Sequence, residues 1–158
     1  MPTTTPPPAL DAETHRALGT GLFNRTWDLL ESEGRTAPQD AEMIDTAHAS
    51  AYHWRQVGNA ANEARGHWML ARVYSVLGHG EEAVFHARRA NEVLDAGGEG
   101  IEDWDAAAAA EAMARALVAS GDRVAAAEWK ARASTLLEGV AGVEDRAVVE
   151  GDLATLAV

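Results

Sequence analysis

The chain has 158 residues, enough for one domain with a real core, and 47% hydrophobic against 24% charged residues is the balance of a soluble globular protein. It contains no cysteine, which excludes disulfides, thiolate metal sites and cysteine nucleophiles. Thirteen Lys and Arg against 25 Asp and Glu leave a net charge of −12, so neither nucleic acid nor an anionic membrane surface is expected as a partner.

The opening run "MPTTTPPPAL" lacks the charged and apolar regions of a signal peptide. Its three consecutive prolines favour an extended, disordered tail over residues 1–10, ahead of a single domain at 11–158. No stretch approaches the roughly 18 apolar residues of a membrane span, and the expected location is cytoplasmic. Beyond the tail, Ala, Leu, Glu and Arg dominate and alternating strand patterns are scarce. The periodicity predicts seven helices, at about 11–32, 38–57, 60–77, 80–95, 102–120, 123–138 and 143–157. Gly58, Gly78 and Gly121 each close an apolar-periodic segment, as expected of short antiparallel hairpins. Thr36 to Gln39 reads as a capping box with Pro38 in the first turn, while Asn59 and Asp122 are natural N-caps. The run "DAGGEG", residues 95–100, is expected to be a flexible break between four helices and three.

An internal repeat is present. Leu70, Ala71, Arg72, Gly78, Ala83 and Ala90 recur as Met113, Ala114, Arg115, Gly121, Ala126 and Ala133, each 43 residues further on. With Tyr74, these residues resemble the tetratricopeptide repeat, which sets small residues and an aromatic around a turn glycine. The spacing departs from that family's period of about 34 residues, the terminal proline is missing, and Ala87 stands where an aromatic is usual. "HASAYHW" together with "RGHWMLARVYSVLG" and "HARR" is also similar to a group of short bacterial helical-repeat proteins that carry glutamate in place of His67. The resemblance implies an all-α antiparallel helical-hairpin array, a solenoid of tetratricopeptide type. It also implies a concave groove for a peptide, partner protein or small ligand.

Five of the six histidines fall between His48 and His86. On a helical wheel, Ile44, Ala47, His48, Ala51 and Trp54 form one stripe, which places His48 in the apolar face of its helix. Counting from Gly58, His48 and His67 stand level across the hairpin, and so do His53 and Glu63. His86 lies about one turn from His67 across Gly78, so the register predicts that His48, His67 and His86 converge. The repeat sets Ala110 and Trp129 where His67 and His86 stand, so the fold itself does not require those imidazoles.

Two functional readings follow. One is a non-enzymatic interaction module, with His53, Glu63, Trp68, Tyr74 and Glu111 as candidate ligand contacts. The other is a metal-dependent protein or enzyme, with a divalent transition metal on His48, His67 and His86 and Glu111 as a further ligand. Against both stands plain packing. Each histidine taken alone is more often a satisfied structural residue, and Glu111 has a ready salt-bridge partner four residues on in Arg115. The five tryptophans fall one to a helix at apolar positions, as core residues do. In the last helix Val149, Leu153 and Leu156 form an apolar face, either a cap on the array or a homodimer surface.

Overall fold

The computed structural model describes residues 7–158; most of the expected tail therefore lies outside the described residues, and 7–10 are exposed coil. Seven helices follow: α1 Ala12–Glu31, α2 Ala37–Val57, α3 Ala60–Val76, α4 Gly80–Ala96, α5 Asp105–Ser120, α6 Arg123–Leu137 and α7 Val143–Ala154. There is no strand among the described residues.

Local chemistry sets most of these boundaries. Thr36 and Gln39 form the reciprocal capping box of α2, with the Thr36 N–H donating to Gln39 Oε1 at 2.8 Å. Asn59 and Asn62 do the same for α3, and the Asp122 carboxylate accepts from the Ala125 N–H at 3.0 Å to start α6. Two ends differ from the sequence expectation by three residues, the others by one at most. Helix α5 starts at Asp105 instead of 102, because residues 102–105 close a turn in which Asp105 Oδ2 accepts from the Glu102 N–H. Helix α7 ends at Ala154, where Arg115 takes the Asp152 carbonyl that a further turn would use.

Helices α1–α2, α3–α4 and α5–α6 pack as antiparallel hairpins, and α3 and α4 both pack on α5. The repeat is the physical basis of this stacking. Its small positions, Ala71, Ala83 and Ala90 with Ala114, Ala126 and Ala133, are all fully buried, so backbones approach where a larger side chain would hold them apart. Gly78 and Gly121 have φ of 77° and 90°, the left-handed region a Schellman closure needs. The closing bonds are equivalent, His79 N–H to the Tyr74 carbonyl and Asp122 N–H to the Leu117 carbonyl, both 2.9 Å.

The "DAGGEG" run does not hang free between two halves. The Ala61 N–H at the start of α3 donates to the Glu99 carbonyl at 3.2 Å, and a side chain at Gly98 would meet the Ala60 methyl. The loop is a strap docked on α3. Gly80 is a second close approach, since a Cβ there would lie 2.5 Å from Ser120 Cα. Gly80→Ala is expected to lever α4 away from the end of α5 and cost about 1–3 kcal/mol in urea denaturation.

Helix α7 is built in as a cap. Val149, Leu153 and Leu156 are buried with Leu137 and Val140 in one cluster, so the face read as a homodimer surface is spent inside the chain. Arg115 and Lys130 donate to the terminal carbonyls of Asp152 and Leu156 at 2.9 and 2.6 Å, which adds charged donors at the helix end and opposes its dipole.

Candidate functional site: an inner aromatic pocket and an outer histidine cluster

Alternate helices of a hairpin array share a side. Here α1, α3, α5 and α7 enclose a pocket of about 240 Å³, lined by Phe23 and Trp27, Arg65 and Trp68, Trp104 and Ala108, and Asp145, Val148, Val149 and Asp152. Trp27 and Trp68 meet at a ring separation of 5.7 Å, tilted by 48°. The Arg65 guanidinium lies 4.5 Å over the Trp104 ring. Arg65 is held there by a two-pronged pair to Asp105 (2.9 Å each) and a bond to Glu102 (3.0 Å). Glu102 also accepts from the Trp104 indole N–H at 2.7 Å, so the aromatic wall and its cation are fixed together.

Glu111 lies behind this pocket, away from the histidines. Its carboxylate, 1% exposed, accepts from Arg115 Nε at 2.7 Å and is met by Arg72 at 3.5 Å. Arg72 also pairs with Asp152 on the pocket wall. Burial pushes the Glu111 carboxyl above its usual value, against the pull of Arg115 and Arg72. Arg72 and Arg115 are repeat equivalents, so the two copies send matching arginines to one carboxylate.

The histidine cluster occupies a different place, where α2 and α4 flank α3. His67 Nδ1 and His86 Nδ1 are 3.0 Å apart, and His48 Nε2 is 2.8 Å from the Tyr74 hydroxyl. Tyr74 stacks on His86 at 5.7 Å with an interplanar angle of 5°, and on His79 at 5.9 Å. The three imidazoles expected to converge thus do so, with Tyr74 among them. His48, however, is exposed and outside the apolar core. The buried face of α2 is Met43, Thr46, Ala47, Ser50 and Ala51, and it packs on α1 partly through polar groups: Ser50 Oγ donates to the Gly19 carbonyl at 2.7 Å.

The expected partnership of His53 with Glu63 is replaced. His53 Nδ1 meets His15 Nδ1 at 2.9 Å, and Glu63 faces Arg89 at 3.9 Å. Among the described residues, no three His, Asp or Glu side chains stand in a metal-holding arrangement. In each histidine pair one Nδ1 keeps its proton and donates to the lone pair of the other.

Burial in the cluster of His48, His67 and His86 has a pH consequence. Desolvation holds the His48, His67 and His86 imidazoles below their ordinary value, His86 down to about 4 with help from the charges of His67 and His48. Between about pH 6.5 and about pH 4 the unfolded chain binds the proton that native His86 refuses. Stability should therefore fall as pH drops through this window, by about 1–2 kcal/mol because solvent still reaches the cluster. The check is the difference in pH profile between wild type and His86→Ala, the variant's decline being shallower.

Trp68 was the one pocket residue among the sequence candidates; Phe23, Trp27, Arg65, Trp104 and Val148 were missed. No pattern in the sequence marks them, because Trp54 and Trp129, which do not line the pocket, read as the same kind of apolar position.

The fold is that of a tetratricopeptide-like helical repeat protein. The crystal structure of a TPR-like protein from Chlorobium tepidum is similar to this chain at a TM-score of 0.66, covering 94% of this chain and 100% of that one at 17% identity. The likeness at that identity is one of fold. No family model matches the sequence, and no curated protein does.

Proposed function

We propose that the protein is a non-enzymatic interaction module whose inner groove receives a side chain of a partner peptide. The observation that carries this reading is the preformed pocket between α1, α3, α5 and α7, walled by Trp27, Trp68 and Trp104 and fixed by the Arg65 pairings before any ligand arrives. A preorganised apolar recess saves the ordering cost that limits most peptide binding. The absence of a membrane-spanning helix among the described residues is compatible with a partner in solution.

Panning a random peptide library on wild type and on Val148→Trp tests the reading. Val148 is 65% exposed at the pocket wall, so added bulk there narrows the mouth without entering the core. Peptides enriched by wild type and lost on Val148→Trp are the expected result. Enrichment indifferent to Val148→Trp, or none, removes the groove as the binding site.

A second reading rests on the 3.0 Å separation of His67 and His86, which suits two imidazoles on one divalent transition metal with water as the remaining ligands. It requires a rise in melting temperature with Zn²⁺ or Cu²⁺ that vanishes in His86→Ala. Exposed His48 contributes little to stability, so His48→Ala should unfold within about 0.5 kcal/mol of wild type.

A further inference from the structure

We infer that the group the inner pocket takes is a cation, the side chain of an arginine or lysine in a basic segment of a partner protein. The inference rests on the groove reading above and adds the charge of the occupant to it.

Three observations converge. The first is the wall itself: three indoles and the Phe23 ring enclose one recess of about 240 Å³. Indole faces carry negative electrostatic potential and attract guanidinium and ammonium groups more strongly than any other side-chain ring. The second is that the wall already holds one cation. Arg65 lies over Trp104 at 4.5 Å, which shows an indole face here acting as a cation platform.

The third is charge. Arg65 is more than neutralised by Asp105 and Glu102, and Asp152 is matched by Arg72. Asp145, an exposed residue of the lining, joins no ion pair among the described residues. Around the pocket, Glu102, Asp105, Glu111, Asp145 and Asp152 outnumber Arg65, Arg72 and Arg115. The whole chain carries −12. An anionic partner would meet repulsion at the mouth and an apolar one would leave Asp145 unused; a basic segment satisfies both the rings and the carboxylate.

The recess also favours a long side chain. An arginine or lysine lays its alkyl stem along Val148 and Val149 and carries its charged head to the indoles, with Asp145 within the same lining.

Three of the five tryptophans line the recess, so intrinsic fluorescence reads its occupancy. The probes are three acetylated, amidated tripeptides with glycine on either side of arginine, citrulline or leucine. Citrulline keeps the shape of arginine and removes the charge. The arginine peptide is expected to bind roughly tenfold more tightly than the citrulline peptide. Asp145→Asn is expected to weaken the arginine peptide alone, and added salt to reduce the difference. Equal binding of arginine and citrulline, or preference for leucine, overturns the cationic assignment while leaving a groove that binds side chains. Silence of all three peptides, with Val148-dependent library enrichment intact, overturns it as well. Failure of the groove reading is distinct, because library enrichment itself is then absent or insensitive to Val148→Trp.

Discussion

Trp68→Ala should be the most damaging single truncation on the inner face, with a loss of about 3–4 kcal/mol in urea denaturation. Trp68 packs against all three buried clusters: the α5–α7 cluster around Leu137, the α1–α3 cluster around Leu29 and Met69, and the alanine seam of Ala71, Ala83 and Ala112. Its removal opens a void where the three meet and strips Trp27 of its ring partner, while Trp104 stays held by Glu102 and does not fill the space. For a chain of this length that loss corresponds to a melting temperature about 6–16 °C lower. Trp68→Phe should recover a large part of it. A loss below about 1 kcal/mol would mean that the clusters are held together elsewhere.

Glu111→Ala is expected to cost about 3 kcal/mol or more, by a different mechanism. The carboxylate is almost wholly buried between Arg72 and Arg115, and its removal leaves two guanidinium groups facing a cavity in the interior. Both arginines keep a second partner, Arg72 in Asp152 and Arg115 in the Asp152 carbonyl and Thr155, which places the expected loss toward the lower end of the range for broken buried pairs. Glu111→Gln preserves shape and one acceptor and should cost less than Glu111→Ala. Equal losses would show that charge, not volume, is what the site requires.

The fold was legible because its signals are local. Turn glycines, N-caps and alanines repeating at one offset each act within a few residues, and the structure uses Gly78, Gly121, Asn59 and Asp122 as their chemistry requires. The convergence of His48, His67 and His86 was also legible, because a regular hairpin turns distance from its glycine into height. The exposure of His48 was not. A hydrophobic wheel gives weight to Ile44 and Trp54, whereas α2 buries Thr46 and Ser50, whose hydroxyls are satisfied by Thr26 and by the Gly19 carbonyl of α1. That rotates the buried face away from His48.

His53 went to His15 for a related reason. The neighbouring α1 supplies an imidazole at that height, and no count within the α2–α3 hairpin includes it. The pocket was illegible for a third reason. Every tryptophan is apolar in sequence, and only the shared side of α1, α3, α5 and α7 separates the lining Trp27, Trp68 and Trp104 from Trp54 and Trp129.

The pair between Arg72 and Asp152 joins residues 80 positions apart. In an ideal solenoid each repeat touches only its neighbours, so units fray and refold almost independently. Here the carboxylate at the centre of the second repeat takes an arginine from each repeat, and both arginines take a further partner from Asp152 of the capping helix. Loss of α7 by fraying therefore strips partners from Arg72 and Arg115 at once, and partial unravelling from that end gains little over complete unfolding. The array gives up the gradual, repeat-by-repeat melting of its architecture for a single cooperative transition.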